Sequence, residues 1–112
     1  KIDSPAAFAA VREGMYMAAQ GASGTARGTF GKGLYEVDVC AKTGTPETSQ
    51  YPNSTFIAYA PAVNPEIAVC VIIEKGWHGY TGAPVAKEIF EAYFDANRAT
   101  SDSLLSYGVL VP

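Results

Sequence analysis

Residues 34–45 read LYEVDVCAKTGT, and their pattern sets the architecture. Tyr35, Val37, Val39 and Ala41 alternate with Glu36, Asp38, Cys40 and Lys42, so an extended chain over 34–43 has one apolar and one more polar face. That alternation predicts a strand. The stretch 45–53 is polar and contains two prolines, which makes it a connection. A second strand is predicted over 55–60 (TFIAYA), apolar on both faces, and Asn64-Pro65 then marks a turn. A third is predicted over 67–73 (IAVCVII), apolar throughout and rich in β-branched residues, the pattern of a strand buried on both faces.

Helices flank the strands. Ser4 suits an N-cap and Pro5 a first helical position, after which Phe8, Val11, Met15 and Ala18 recur at helical spacing and Gly21 stops the run. Glycines at 21, 24, 28, 31 and 33 predict a loop or a chain of turns over 21–33. A second glycine-rich loop, 76–82, leads into a helix with Pro84 in its first turn. Its apolar stripe is Ala86, Ile89, Phe90 and Tyr93, with Lys87, Glu88 and Glu91 on the wet side. Beyond Phe94 the chain turns polar and then apolar, so 95–112 reads as a tail. The fold class is α+β: helix, three-stranded antiparallel sheet, helix. In a simple meander the 67–73 strand would be an edge, and a long apolar edge is an aggregation hazard. The expectation is that a neighbouring strand comes from elsewhere, either from a larger domain of which this is a fragment or through self-association along 67–73.

Composition narrows the function classes. At 112 residues the chain fits one domain or part of one; 48% hydrophobic and 17% charged residues exclude disorder as the default. A net charge of −3 without a basic run argues against nucleic acid as a partner. The longest apolar stretch is about a third of a membrane span, and the start, KIDSPAAF, lacks the basic and apolar regions of a signal peptide. Two cysteines and one histidine are too few for a Cys/His zinc site, and no cofactor is implied. Cys40 and Cys70 fall on the first and third strands, about 10 Å apart at ~4.8 Å per strand, beyond disulfide reach.

The chemistry lies in Ala41-Lys42-Thr43-Gly44-Thr45. Lys-Thr-Gly at the end of a strand is one of three signatures of the penicillin-recognising serine acyl-transferases. By itself the triplet is a solvated lysine, two β-forming threonines and a turn glycine. Its setting is more specific: GMY at 14–16, GTAR at 24–27, FIAYAP at 56–61 and NPEIAV at 64–69. Together these segments resemble the C-terminal part of the transpeptidase domain of class B penicillin-binding proteins, most closely the elongation type, over roughly residues 8–94.

The resemblance implies a fragment of the serine β-lactamase/D,D-transpeptidase fold, and roles for four residues. The Lys42 ammonium would set a field that favours proton movement from the serine and attracts the substrate carboxylate. The hydroxyls of Thr43 and Thr45 would bond that carboxylate. Gly44 would leave room for substrate along the strand. The Thr45 backbone N–H would be an oxyanion-hole donor, its carbonyl receiving the substrate amide as in strand addition. The parent reaction would cross-link peptidoglycan stem peptides, with β-lactams trapping the same serine, at the outer face of the bacterial cytoplasmic membrane. The family's Ser-x-x-Lys nucleophile motif and its Ser-x-Asn motif are both absent, and Ser101-Asp102-Ser103 lies in the wrong order to replace the latter. The chain is therefore expected to hold one wall of the site without a nucleophile, to need the remainder of the domain, and to be inactive alone. The alternatives are a non-catalytic binding or assembly module, and a fragment of a serine β-lactamase or β-lactam-sensing receptor domain.

Other residues carry blander readings. His78 lacks an acidic or cysteine neighbour in sequence and reads as a loop residue; Trp77 and Tyr80 read as cover for the sheet in preference to a ligand rim. Glu74-Lys75 and Lys87/Glu91 read as surface ion pairs. Arg27 suits either a substrate contact or an anchor for its loop.

Overall fold

The computed structural model describes residues 4–47 and 51–106. Helix α1 spans Pro5–Gln20; the Ser4 hydroxyl caps it, accepting the Ala7 N–H at 3.3 Å. At the other end the Gly21 N–H donates to Met17 O at 2.7 Å. The chain then folds back on the helix: the Ala26 N–H reaches Ala18 O at 2.9 Å, and a Cβ on Gly24 would lie 2.3 Å from the same oxygen. Only glycine permits that approach. A one-turn helix, α2 (Arg27–Phe30), follows inside the segment expected to be loop. Four residues are too few to display a helical period, so the sequence pattern could not reveal it.

Strands β1 (Cys40–Gly44), β2 (Ser54–Ala60) and β3 (Ile67–Ile73) form an antiparallel sheet in the order β1-β2-β3, with Lys42 opposite Ile57 and Ile57 opposite Cys70. The strand expected over 34–43 starts only at Cys40. Burial still alternates upstream, with Tyr35, Val37 and Val39 inward and Glu36 and Asp38 outward. Regular pairing stops at Tyr59 because Pro61 has no N–H to offer Asp38; Ala62 supplies it instead, donating to Asp38 O at 2.8 Å. A 3-10 turn (Gly79–Gly82) leads into helix α3 (Ala83–Ser106). That helix takes in much of the segment expected as a tail, including Ser101-Asp102-Ser103; residues 107–112 lie outside the described residues.

The core occupies one face of the sheet. Phe56, Ala58 and Ala60 of β2 and Val69 of β3 pack with Ala83, Ala86 and Phe90 of α3 and with Phe30 of α2. Phe30, with no exposed surface, touches three rings: Phe56 at 6.1 Å, Phe90 at 5.9 Å and Tyr35 at 5.9 Å between centroids. Lys87, expected in an ion pair, instead donates to Leu34 O at 3.2 Å with its ammonium 5.7 Å from the Tyr35 centroid. The opposite face carries Cys40, Lys42, Tyr59, Ile57, Cys70 and Ile72; it is covered at Cys40 and Tyr59, on the side of α1, and open at Lys42, Ile57, Cys70 and Ile72. Ile72 is 68% exposed and Ile57 49%. The expectation that β3 is buried on both faces is thus corrected for this chain: α3 covers one face of β3, Cys70 and Ile72 on the other are exposed, and β3 is the sheet's outer strand. The stripe of α1 is likewise half-covered, with Val11 and Phe8 exposed and Met15 and Ala18 partly buried.

Cys40 and Tyr59 are cross-strand partners, and both cysteines are free, Cys40 buried and Cys70 exposed. The Tyr59 hydroxyl is buried without a well-formed hydrogen bond, beside the Cys40 thiol. Burial, reinforced by that thiol, pushes the Tyr59 phenol up to about 12, and burial pushes the Cys40 thiol up as well. Both folded values lie above the unfolded ones, so the linked stability is complete below the unfolded values, 9.0 for the thiol and 10.0 for the phenol. It is lost as pH rises towards about 12. Urea unfolding should show declining stability on that alkaline limb, and Tyr59→Phe should flatten it; an unchanged limb in the variant would refute the assignment. Phe30→Ala should cost about 3–5 kcal/mol in the same assay, as for other fully buried phenylalanines.

Candidate functional site

The Lys-Thr-Gly triplet lies at the end of β1, and among the described residues no strand lies beside its outer edge. Helix α1 packs along β1, and a groove of about 890 Å³ runs between them. Its walls include Val11, Met15 and Ala18 of α1, Thr25 of the turn, and Lys42 and Thr43 of β1. Consecutive strand residues point to opposite faces, so a ligand on one face would meet only one of Lys42 and Thr43. A ligand at the outer edge meets both.

The Lys42 ammonium is exposed and donates to the Thr43 carbonyl. Thr43 is half-buried, and its hydroxyl shares a hydrogen bond with that of Thr25, 3.2 Å between the oxygens. Thr45, just past the strand, accepts the Gly79 N–H on its hydroxyl oxygen at 3.0 Å and keeps its own proton for another partner. A Cβ on Gly44 would lie 2.3 Å from Thr55 Oγ1, so the glycine makes room for a cross-strand threonine.

The loop before α3 braces this end of the strand. A Cβ on Gly79 would lie 2.6 Å from Gly44 O, 2.7 Å from Gly44 N and 2.9 Å from Thr43 Cβ. Ser54, fully buried, donates to Gly79 O at 3.1 Å. Gly79 and Ser54 had no place in the sequence reading; the one available signal was a glycine flanked by two rings, His78 and Tyr80. Trp77 and Tyr80 do not cover the sheet as expected. Trp77 is 54% and Tyr80 50% exposed. Trp77 lies against Tyr51, 5.0 Å between centroids, and His78 stacks on Tyr80 at 5.1 Å. Glycine backbone covers the sheet in their place: a Cβ on Gly82 would lie 2.9 Å from Phe56 Cβ. Among the described residues no group of three or more His, Cys, Asp or Glu could hold a metal ion. No helix among them is long and apolar enough to cross a membrane.

The atoms facing Gly79 are mostly main chain and cannot rotate aside. Gly79→Ala should therefore lift the loop from β1 and cost about 1–3 kcal/mol in urea unfolding. Gly28→Ala, with nothing within 4 Å of its Cβ, is the control and should stay near the wild type.

The chain is similar to known proteins. The curated relatives include the peptidoglycan D,D-transpeptidase MrdA of Acinetobacter baumannii, 31% identical over 78% of this chain and 16% of its own length. They also include penicillin-binding protein 2B of Streptococcus pneumoniae, 34% identical over 74% of this chain and 13% of its own length. The chain thus spans about a sixth or less of these relatives. Among solved structures, Pseudomonas aeruginosa PBP2 superposes with a TM-score of 0.74 at 34% identity, covering 83% of this chain and 21% of that one. Penicillin-binding protein A of M. tuberculosis, solved as a penicillin G acyl-enzyme complex, superposes with a TM-score of 0.61 at 29% identity, covering 81% and 21%. The model of the penicillin binding protein transpeptidase domain matches residues 3–95, and this chain belongs to that family.

Proposed function

We propose that this chain is the C-terminal portion of the transpeptidase domain of an elongation-type class B penicillin-binding protein, and that it supplies one wall of a serine D,D-transpeptidase site. The observation that carries the reading is the open outer edge of β1, with Lys42 and Thr43 bordering one groove and Thr45 just past the end of the strand. A stem peptide ending in D-Ala-D-Ala would lie against that edge as an added strand. Lys42 would draw its carboxylate, the hydroxyls of Thr43 and Thr45 would bond it, and the Thr45 N–H would stabilise the oxyanion.

The nucleophilic serine would come from another part of the parent protein. Its oxygen bonds to the penultimate D-Ala carbonyl carbon, the amide C–N bond breaks, and D-Ala leaves with the proton. An amine of a neighbouring stem then takes the acyl group and returns the proton to the serine. A β-lactam would acylate the same serine by ring opening and stay attached. The exposed face of Ile57, Cys70 and Ile72 and the free edge of β3 would pack against the remainder of the domain; without it, β3 would be the surface through which two copies associate. The parent would act at the outer face of the cytoplasmic membrane.

Labelling with a fluorescent penicillin, read by intact mass, tests the proposal on this chain and on the full-length parent. The parent should gain a covalent adduct and this chain none; Lys42→Ala should slow the parent's acylation by roughly 100-fold or more. An adduct on this chain would overturn the missing nucleophile, and an unlabelled parent would overturn the transpeptidase assignment.

A further inference from the structure

Thr25 has no part in the roles assigned above, yet the chain around it is held with little freedom. On one side Gly24 lies so close to α1 that a Cβ would be 2.3 Å from Ala18 O. On the other, Ala26 is 2% exposed in the core, and its N–H donates to that same oxygen at 2.9 Å. The backbone is fixed at both neighbours. Its side chain arrives beside Thr43, with the two hydroxyl oxygens 3.2 Å apart, and both residues border the groove together with Lys42.

A threonine hydroxyl has one proton and two lone pairs. The two hydroxyls share one hydrogen bond, in which either can be the donor. If Thr43 is to bond a carboxylate, which only accepts, its proton must point to the ligand. The Thr25 hydroxyl can then donate to the lone pair that Thr43 presents. The result is a chain from Thr25 to Thr43 to carboxylate, in which each bond polarises the next. An alkyl side chain at 25 could neither hold Thr43 beforehand nor support it afterwards.

We infer that Thr25 is a positioning residue for acylation: its hydroxyl orients Thr43 and, by donating to it, leaves the Thr43 proton for the substrate or β-lactam carboxylate. The inference rests on the reading of the β1 edge as a transpeptidase site.

Second-order acylation rates by a fluorescent penicillin, measured on the full-length parent, test it. Thr25→Val should lower the rate roughly three- to tenfold, the worth of one neutral hydrogen bond, and Thr25→Ser should restore it. In a Thr43→Val background, Thr25→Val should change the rate little, because the partner it serves is gone. Wild-type rates in Thr25→Val would overturn the inference while leaving the transpeptidase reading intact. So would an equal loss with or without the Thr43 hydroxyl, which would mark Thr25 as a packing residue. A wild-type parent that takes up no penicillin would overturn both.

Discussion

The structure is organised about one ring. Phe30 is where the one-turn helix, the sheet and the C-terminal helix meet, through contacts with Phe56, Phe90 and Tyr35. Burying such a ring contributes a few kcal/mol, a large share of the net stability of a small fold. Its position also fixes what precedes it. With α2 anchored at Phe30 and the turn pressed onto the end of α1, residues 24–26 have one path, and that path brings Thr25 to the edge of β1. Core packing on one side of the sheet thus decides the geometry of a groove at its margin.

The sheet is asymmetric. One face is sealed by Phe30, Phe90 and the alanines of α3; the other shows Ile57, Cys70 and Ile72 to solvent. An isolated edge strand of this composition offers both unpaired backbone and apolar side chains, the two ingredients of association between chains. Membership of a domain family whose members are several times longer accounts for the pattern: β3 has the composition of an interior strand, and this chain supplies cover for one of its faces.

Much of this was legible in residue order. The two-residue alternation placed the inward positions Tyr35, Val37, Val39 and Ala41 correctly, and the cap at Ser4 fixed the start of α1. The triplet at 42–44 was recognisable because strand, loop and helix segments around it fell in one order. What was not legible depends on contacts distant in sequence. A four-residue helix has no period, so α2 and its Phe30 were hidden in a glycine-rich stretch. The outward turn of Trp77 and Tyr80 follows from Gly79 and Gly82 occupying the space against the sheet, and a loop's composition does not record which of its residues faces in. The shortening of β1 came from the missing N–H of Pro61, sixteen residues beyond Thr45 in a different strand's exit.

The contact between Gly79 and the end of β1 also bears on how this wall can change over evolutionary time. Its shape is set mostly by main chain lying on main chain, bordered by the Thr43 Cβ and the Thr45 hydroxyl. Point substitutions there have almost no graded intermediates: a single added carbon separates the two backbones. Variation in ligand preference is therefore channelled to the hydroxyl- and ammonium-bearing residues that border the groove and to the exposed aromatic tips of the brace, while the contour of the strand end is held constant.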